Sequence, residues 1–287
     1  MTGKMVQISH TFLAHPDYVE AFEKLGLTSI DAVFAFSAGR NLAKASLAAF
    51  RTRLQFTLQT NMSPTPVTAF LKRYDSPPIG VQVKNWLARH SLKGLAIADA
   101  QIAEKLRAAG INTPKTIACG RQRGLFFEKR SFIITEKIPA ADSLEKKLPR
   151  YFLQPADRQN LRLRRDFIIR LAKFIKQFHD TGHRHRDLYL CHIFYDSTGR
   201  FHLIDLARVF RPILTPERFR CKDIAQLFYS APRSHFAKTD RLRFYFAYTA
   251  HRRLTTYDKA FIRKIIGKAE RIAHHDRKRG RCIPYEN

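Results

Sequence analysis

Acidic residues are scarce in this chain of 287 residues. Asp and Glu number 24 against 52 Lys and Arg, which gives a formal net charge of +28. Such an excess favours an anionic partner, such as nucleic acid, an anionic membrane face or a phosphorylated substrate. It argues against an enzyme that acts on small cationic molecules, and it says nothing about the fold.

Cysteines and long apolar runs are also few. The four cysteines form no CxxC pair, and no group of Cys and His has zinc-site spacing. Scattered thiols in a chain of this size are typical of a reducing compartment. The N-terminus lacks the apolar run of a signal peptide, and no stretch approaches the ~20 apolar residues of a spanning helix. We therefore expect a soluble cytoplasmic protein that can sit on a membrane surface.

Hydrophobic residues, which make up 45% of the chain, supply enough material for a sizeable core. The periodicity of the first half predicts one main helix and several strands. The helix covers 95–109 and ends at Gly110, and the strands cover 51–58, 67–74, 116–119, 125–127 and 131–136.

The second half is predicted to be mostly helical. Its clearest helix, at 165–179, carries a single apolar stripe and ends before Gly182. A short hairpin follows at 192–205. We therefore predict an α+β fold with a strand-rich N-lobe at 1–137 and a helical C-lobe at 138–287.

Two motifs that each contain an aspartate follow the helix predicted at 165–179. His-Arg-Asp-Leu-Tyr-Leu-Cys-His occupies 185–192, and Asp205 comes 18 residues after Asp187. The short hairpin between them would fold the second Asp back beside the first. This arrangement suits phosphoryl transfer, in which one carboxylate positions the substrate hydroxyl and another holds Mg²⁺ on the phosphates.

A lysine on an upstream strand would complete such a site. Lys72 is flanked by apolar residues on the second predicted strand, where it could reach nucleotide phosphates. A helical carboxylate should hold this lysine in place. Asp99 shares a helical face with Ile102 and is the first choice, while Glu104 is the alternative.

These residues resemble a known family. The HRDLYLCH motif, Lys-Arg-Tyr at 72–74, GINTP at 110–114 and KDIAQLFYSAP at 222–232 look like the lipopolysaccharide core heptose kinase family of WaaP type. That family belongs to the protein-kinase-like superfamily, and the resemblance runs from about 31 to 281. It implies a protein-kinase-like two-lobe fold and an ATP-dependent kinase that phosphorylates a heptose hydroxyl of the lipopolysaccharide inner core.

The resemblance also implies a role for each matched residue. Asp187 would be the catalytic base, Asp205 would bind the metal, and Lys72 would contact the ATP phosphates. The backbone from Glu136 to Ile138 would pair with adenine.

Three positions depart from the protein-kinase pattern. The GxGxxG loop is absent, so Arg40 beside Gly39 is expected to help bind the phosphates. His192 stands where kinases place a metal-binding Asn; it binds metal, orients Asp187 or a phosphate, or is a structural histidine of the core. Asp99 replaces the usual Glu as the partner of the lysine. Asp223, in contrast, follows the kinase pattern, in which an aspartate at this position supports the catalytic loop.

The implied cofactors are ATP and Mg²⁺, and the implied acceptor is the lipid A-linked core. An anionic membrane surface and an acidic acyl carrier protein are further partners that the charge permits. Two other functions stay open, a kinase acting on another glycan or on protein, and a non-catalytic basic protein that binds RNA or anionic lipid on a degenerate kinase scaffold. The presence of Lys72, Asp187 and Asp205 favours catalysis, and nucleic acid is not the expected partner.

Overall fold

A computed structural model describes residues 5–42, 48–61, 63–89, 92–153 and 157–284. The chain divides into two compact units. The first comprises Met1–Ala108 and Thr113–Pro139, and the second comprises Ala109–Asn112 and Ala140–Asn287. The predicted lobe boundary and the roles of the lobes stay predictions.

The first unit is built on an antiparallel sheet with helices. Its strands are β1 (Val6–Ser9), β2 (Phe12–Ala14), β3 (Arg40–Asn41), β4 (Arg51–Leu58), β5 (Val67–Asp75), β6 (Thr116–Arg123) and β7 (Glu128–Glu136). Its helices are α1 (Val19–Lys24), α2 (Ile30–Ala35), α3 (Ile79–Arg89) and α4 (Leu95–Ala108). The strand order in the described sheet is β1-β2-β6-β7-β5-β4-β3.

Strand β5 has a central place in this sheet because it pairs with both β4 and β7. Alternation along the strand sends Leu71 into the apolar core and turns Lys72 and Tyr74 to the other face. Helix α4 packs against β6 and β7 and presents Asp99 toward those two side chains. The sheet and α4 thus bring a lysine and a carboxylate together.

The second unit holds the remaining elements. Its strands are β8 (Ala141–Ser143), β9 (Ile193–Asp196) and β10 (Phe201–Leu203), and they form an antiparallel sheet in the order β10-β9-β8. Its α-helices are α5 (Arg158–Asp180), α6 (Pro216–Ser230), α7 (Lys238–Thr249) and α8 (Thr256–Arg277). Helix α5 packs on α7, and α6 packs on α8. In the part of the chain that the structure describes, every helix is too short or too polar to cross a lipid bilayer.

The apolar stripe of α5 forms the centre of the second core, as the sequence predicts. Its buried members are Phe167, Ile168, Leu171, Phe174, Ile175 and Phe178. The Phe167 ring lies 5.2 Å from the ring centroids of both Tyr195 and Phe201 on the β9–β10 hairpin. This packing fixes the hairpin, which leads directly into Asp205.

Three sequence predictions about the elements need correction. The predicted strand 125–127 is a turn between β6 and β7, where Leu125 and Phe126 are exposed. Helix α5 begins at Arg158, not at 165, because Asp157 caps it by accepting a hydrogen bond from the Asn160 amide. The first half contains helices besides the predicted one, including α3.

Asp196 stabilises the turn of the β9–β10 hairpin. Its carboxylate accepts hydrogen bonds from Thr198 Oγ1 at 2.7 Å, from the Arg200 amide at 3.0 Å and from His202 Nε2 at 2.8 Å. Burial raises the pKa of this carboxyl, but the hydrogen bonds outweigh burial and hold the pKa well below its usual range. The ionised form therefore contributes to the stability of the hairpin.

We predict that Asp196→Asn lowers the free energy of unfolding by about 2 kcal/mol, because hydrogen bonds to a charged acceptor are lost. The stabilisation from Asp196 is fully present above the unfolded pKa of about 3.9 and is lost as the pH falls toward the lower folded pKa. Denaturation at a series of pH values should show a smaller acid-induced loss in the variant than in the natural protein. Asp166→Asn, which removes an exposed helix ion pair, is the control and should change little. Equal effects of the two substitutions would contradict this account.

Candidate active site

The predicted lysine site lies in the first unit. Lys72 Nζ lies 3.8 Å from Oδ2 of Asp99, and the Tyr74 hydroxyl donates to the same oxygen at 3.0 Å. A residue missed by sequence reasoning, Arg89 at the end of α3, donates to Asp99 Oδ1 at 2.8 Å. The Arg89 side chain is only 4% exposed, so Asp99 neutralises a buried guanidinium as well as facing the lysine. The alternative carboxylate, Glu104, is exposed on α4.

The strand proposed to pair with adenine is β7, with the residues that follow it. The Glu136 amide donates to the Lys115 carbonyl at 2.9 Å, and the Lys137 amide donates to the Thr68 carbonyl at 2.8 Å. The Glu136 carboxylate accepts from the Tyr18 hydroxyl at 2.9 Å. The amide of Ile138 makes no hydrogen bond with the rest of the described chain. Of these amides, that of Ile138 is therefore the one left to bind a ligand.

Arg40 lies on the short strand β3, where it pairs with Gln55 of β4 and is exposed. The preceding Gly39 has φ +146°, and a Cβ atom there would lie 2.6 Å from the Gln55 carbonyl oxygen. Glycine is therefore required for the close approach of the two strands. Arg40 follows this close contact with its side chain exposed, and its role in phosphate binding stays a prediction.

The HRD motif lies in the second unit, in a loop anchored to α6. The buried Asp223 carboxylate accepts the amides of His185 and Arg186, both at 2.7 Å. His179 Nε2 lies 3.2 Å from the same carboxylate. Asp223 thus fixes the two residues that precede Asp187, in line with its predicted supporting role.

Two further residues of α6 hold the same loop, and sequence reasoning missed them. Gln226 Oε1 accepts the Leu188 amide at 3.2 Å, and Ser230 Oγ accepts the Leu190 amide at 2.9 Å. Asp223, Gln226 and Ser230 follow at intervals of three and four residues, which places them on one helical face. This row of polar residues in an otherwise apolar stretch is the signal that could have found them.

Asp205 follows β10 in a left-handed backbone conformation, with φ 53° and ψ 60°. Non-glycine residues rarely adopt this conformation, and they persist in it where the surrounding structure enforces it. The backbone enforces it here because the Ile204 amide donates to the His192 carbonyl at 3.0 Å. His185 Nε2 contacts the Ile204 carbonyl at 3.0 Å. The loop that carries Asp187 and the Asp205 turn are therefore joined directly.

His192 connects the two aspartates. Its Nδ1 lies 2.7 Å from the Asp187 carbonyl oxygen, which can only accept, so Nδ1 carries the hydrogen. In the neutral ring Nε2 then carries a lone pair, and it lies 3.9 Å from Oδ2 of Asp205. His192 Nε2 and Asp205 Oδ2 are then both acceptor atoms, and their positions suit a cation bound between them. The His192 ring also stacks on His185, with centroids 5.7 Å apart.

Arg208 is the second basic residue that sequence reasoning missed. Its Nη1 donates to Asp187 Oδ1 at 3.0 Å and lies 2.8 Å from Oδ2. Arg208 lies in the turn of Leu206–Arg208 directly after Asp205, and its side chain is half exposed. No spacing rule predicts this contact, because it depends on how the Asp205 turn folds back on the loop.

The donor set fits Mg²⁺ in part. No group of three or more His, Cys, Asp or Glu side chains suited to a metal occurs among the described residues. Mg²⁺ commonly binds through one or two carboxylates together with substrate phosphates and water. Asp205 could hold it, with His192 Nε2 as a less typical nitrogen ligand.

Comparisons with known proteins agree on one family. The model of the "Lipopolysaccharide kinase (Kdo/WaaP) family" matches residues 82–248. The "Lipopolysaccharide core heptose(I) kinase WaaP" of Escherichia coli strain K12 is 28% identical over 220 residues, which cover 74% of this chain and 82% of that protein. The protein of the same name from Pseudomonas aeruginosa strain PAO1 is 30% identical over 173 residues, covering 58% of this chain and 60% of that protein.

A solved structure shares the fold. It is described as "WaaP in complex with acyl carrier protein", and it matches with a TM-score of 0.59 at 22% identity, covering 84% of this chain and 91% of that chain. The α+β, protein-kinase-like fold is therefore confirmed. The relatives also confirm the predicted enzyme class, a phosphotransferase with an alcohol group as acceptor. On the family match over more than half of its length, the chain belongs to the lipopolysaccharide kinase (Kdo/WaaP) family.

Proposed function

We propose that this protein transfers the γ-phosphate of ATP to a heptose hydroxyl of the lipopolysaccharide inner core. The observation that carries the proposal is the direct link of Asp187, His192 and Asp205 within one loop and turn of the second unit. The heptose comes from the names of the relatives, which are core heptose(I) kinases. The first unit would bind the nucleotide phosphates through Lys72, and the second would bind the acceptor.

The chemistry of this proposal needs a carboxylate near the attacking hydroxyl. The acceptor oxygen attacks the γ-phosphorus, the bond to the β-phosphate oxygen breaks, and the hydroxyl proton passes to Asp187. Arg208 orients the Asp187 carboxylate by contacting both of its oxygens. Mg²⁺ held by Asp205 and His192 would neutralise charge on the phosphates. Lys72 would orient those phosphates, and the Ile138 amide would receive adenine.

The charge of the chain suits the proposed acceptor and its location. A lipid A-linked core carries phosphates and lies at an anionic leaflet, which attracts basic residues by about 1 kcal/mol each near the surface. With a net charge of +28, the protein would be drawn to that surface. We therefore propose that it acts in the cytoplasm at the inner membrane. The kinase relatives favour this function over a non-catalytic binding protein.

We predict that Asp187→Ala lowers kcat by about 10²- to 10⁴-fold, because the proton acceptor of the reaction is lost. The measurement is transfer of label from γ-labelled ATP to dephosphorylated lipopolysaccharide core. The substitution should leave the fold intact, since the loop is held through the backbone by Asp223. Asp180→Ala, which removes an exposed ion pair from α5, is the matched control. Full activity of the Asp187→Ala enzyme would exclude Asp187 from the mechanism.

We also predict different results for Lys72 and its carboxylate partner. Lys72→Met should lower kcat/KM for ATP by about 10²-fold or more, because a charged donor to the phosphates is lost, and it should leave the protein folded. Asp99→Asn should also destabilise the protein, by about 3 kcal/mol, because Arg89 becomes a buried charge without its carboxylate.

Steady-state kinetics and thermal unfolding of the two variants test this prediction. Lys24→Met is the control for loss of a lysine charge from the same unit, since Lys24 is exposed at the end of α1. Equal unfolding temperatures for the Lys72→Met and Asp99→Asn proteins would contradict the role assigned to Arg89.

The partner of the matched structure suggests a partner for this chain as well. We propose that an acyl carrier protein, which is acidic, binds to the second unit. A cavity of about 670 Å³ lies among α5, α6, α7 and α8, and its lining is mostly apolar. Arg233, Lys238 and Arg241 also line it, so it combines an apolar interior with positive charge. An acyl chain and its acidic carrier have the complementary properties.

The expected outcome is that an acylated carrier binds at least about tenfold more tightly than the carrier without an acyl chain. Titration calorimetry at two salt concentrations measures both affinities, and higher salt should weaken both. Ile265→Asp, which places a charge in the cavity wall, should abolish the preference for the acylated form, and exposed Lys259→Asp on the same helix should not. Equal affinity for the two carriers would remove the cavity from this interaction.

A further inference from the structure

A second groove in the same unit lies between α6 and α8 and has a volume of about 1100 Å³. Most of the polar side chains that line it are basic. These are Arg186, Arg218, Lys222, Arg263, Lys264, Lys268 and Arg271. The proposed chemistry uses none of them.

The acidic side chains that line this groove are too few to neutralise its basic ones. Glu217 is its only acidic lining residue. That carboxylate accepts the Tyr257 hydroxyl at 3.0 Å and also forms an ion pair with Arg220. Among the residues that the structure describes, Lys222, Lys264 and Lys268 form no ion pair with a carboxylate. An anionic ligand would supply the missing charge.

One end of the groove reaches the proposed catalytic base. Arg186 immediately precedes Asp187, and Lys222 lies one helical position before Asp223, which anchors that loop. Burial lowers the pKa of Lys222, and its charged neighbours include Arg208, Asp187 and Arg186. A ligand held at this end would therefore lie next to the site of phosphate transfer.

Further basic residues of the groove lie along α8. Lys264, Lys268 and Arg271 are close enough to Cys221 of α6 to lower the pKa of its thiol, although burial raises that pKa more strongly. From Phe261 to Arg271 the helix rises by about 15 Å. Several anionic groups could bind along this length, while a single phosphate would occupy only a small part of it.

The aromatic residues of the groove argue against nucleic acid. Tyr257 stacks on Phe261 with an interplanar angle of 6°, and the Arg220 guanidinium lies 4.7 Å from the Phe261 ring centroid. Single-stranded nucleic acid is bound largely by stacking of bases on open aromatic faces. Here the Phe261 ring is buried, and the exposed Tyr257 ring lies on it with its hydroxyl bound to Glu217, so the charges of the groove outnumber its open aromatic faces.

We propose that this groove binds the phosphate-bearing saccharide of the glycolipid acceptor, and so positions its hydroxyl at Asp187. This proposal rests on the proposed function and extends it by assigning a subsite to the acidic part of the acceptor. The groove is concave and continuous with the catalytic loop, which suits a discrete oligosaccharide better than the plane of a membrane.

The test uses the full-length enzyme and a deacylated core oligosaccharide that has a free heptose hydroxyl and keeps its other phosphates, but cannot form a membrane. Lys264→Gln combined with Lys268→Gln should raise the KM for this oligosaccharide at least about tenfold, while the KM for ATP stays unchanged. Arg252→Gln combined with Arg253→Gln removes the same charge from exposed positions outside the groove and should change neither constant. Arg218→Gln alone gives a second, single-site variant of the groove.

A second experiment uses the same oligosaccharide without its phosphates. With this substrate the KM of the natural enzyme should rise to about the value of the groove variant. The KM of the groove variant should rise little further, because its contact with the phosphates is already lost. Calorimetric binding of the phosphorylated oligosaccharide without ATP measures the groove independently of catalysis. Vesicles of phosphatidylglycerol distinguish a lipid headgroup from the saccharide as the source of the anion.

Equal KM values and equal affinities for the groove variant and the control variant would overturn the proposal. So would a loss of vesicle binding with no change toward the oligosaccharide, since the groove would then be a membrane contact. Failure of the natural enzyme to phosphorylate any core acceptor would instead contradict the proposed function. In that case the calorimetric comparison still decides whether the groove binds the saccharide.

Discussion

The second unit depends on one buried carboxylate, that of Asp223. It has no exposed surface, and it accepts two backbone amides at 2.7 Å from the residues that precede Asp187, the proposed catalytic base. An ionised group without water is costly unless hydrogen bonds compensate it, and the loop supplies those bonds. The loop in turn has backbone donors that need an acceptor inside the protein. The Asp223 carboxylate and the loop amides therefore satisfy each other's need for hydrogen bonds, so the loop conformation is fixed before any substrate binds.

This anchor extends into the helices through His179. Its two ring nitrogens contact Asp223 and the hydroxyl of Tyr248, at 3.2 and 2.8 Å. Helices α5, α6 and α7 therefore meet at one buried polar cluster, and burial lowers the pKa of the imidazole. A neutral ring can bridge these groups with one donor and one acceptor nitrogen. The polar cluster thus helps to specify how these three amphipathic helices align.

The sequence predicted the parts of the site that depend on local spacing. Asp187 and Asp205 are separated by a hairpin whose turn and strands are evident from the residues, and Asp99 follows from the helical period. Arg89 and Arg208 were missed because their partners are distant in the chain or lie across a turn. The strand predicted at 125–127 was wrong because apolar character alone does not distinguish a strand from an exposed turn. The start of α5 was missed because its first two turns are polar and basic, so no apolar stripe marks them.

Asp99 is shared by two cations, and this arrangement has a consequence for nucleotide turnover. Arg89 is closer to the carboxylate, and its side chain is almost fully buried, whereas Lys72 is more exposed and lies 3.8 Å away. If a lysine leaves its only carboxylate partner to bind a triphosphate, that carboxylate ordinarily becomes a buried negative charge without a partner. Here the Arg89 guanidinium remains beside Asp99, so in the proposed function Lys72 would be able to move from Asp99 to the nucleotide and back without leaving a buried charge unbalanced.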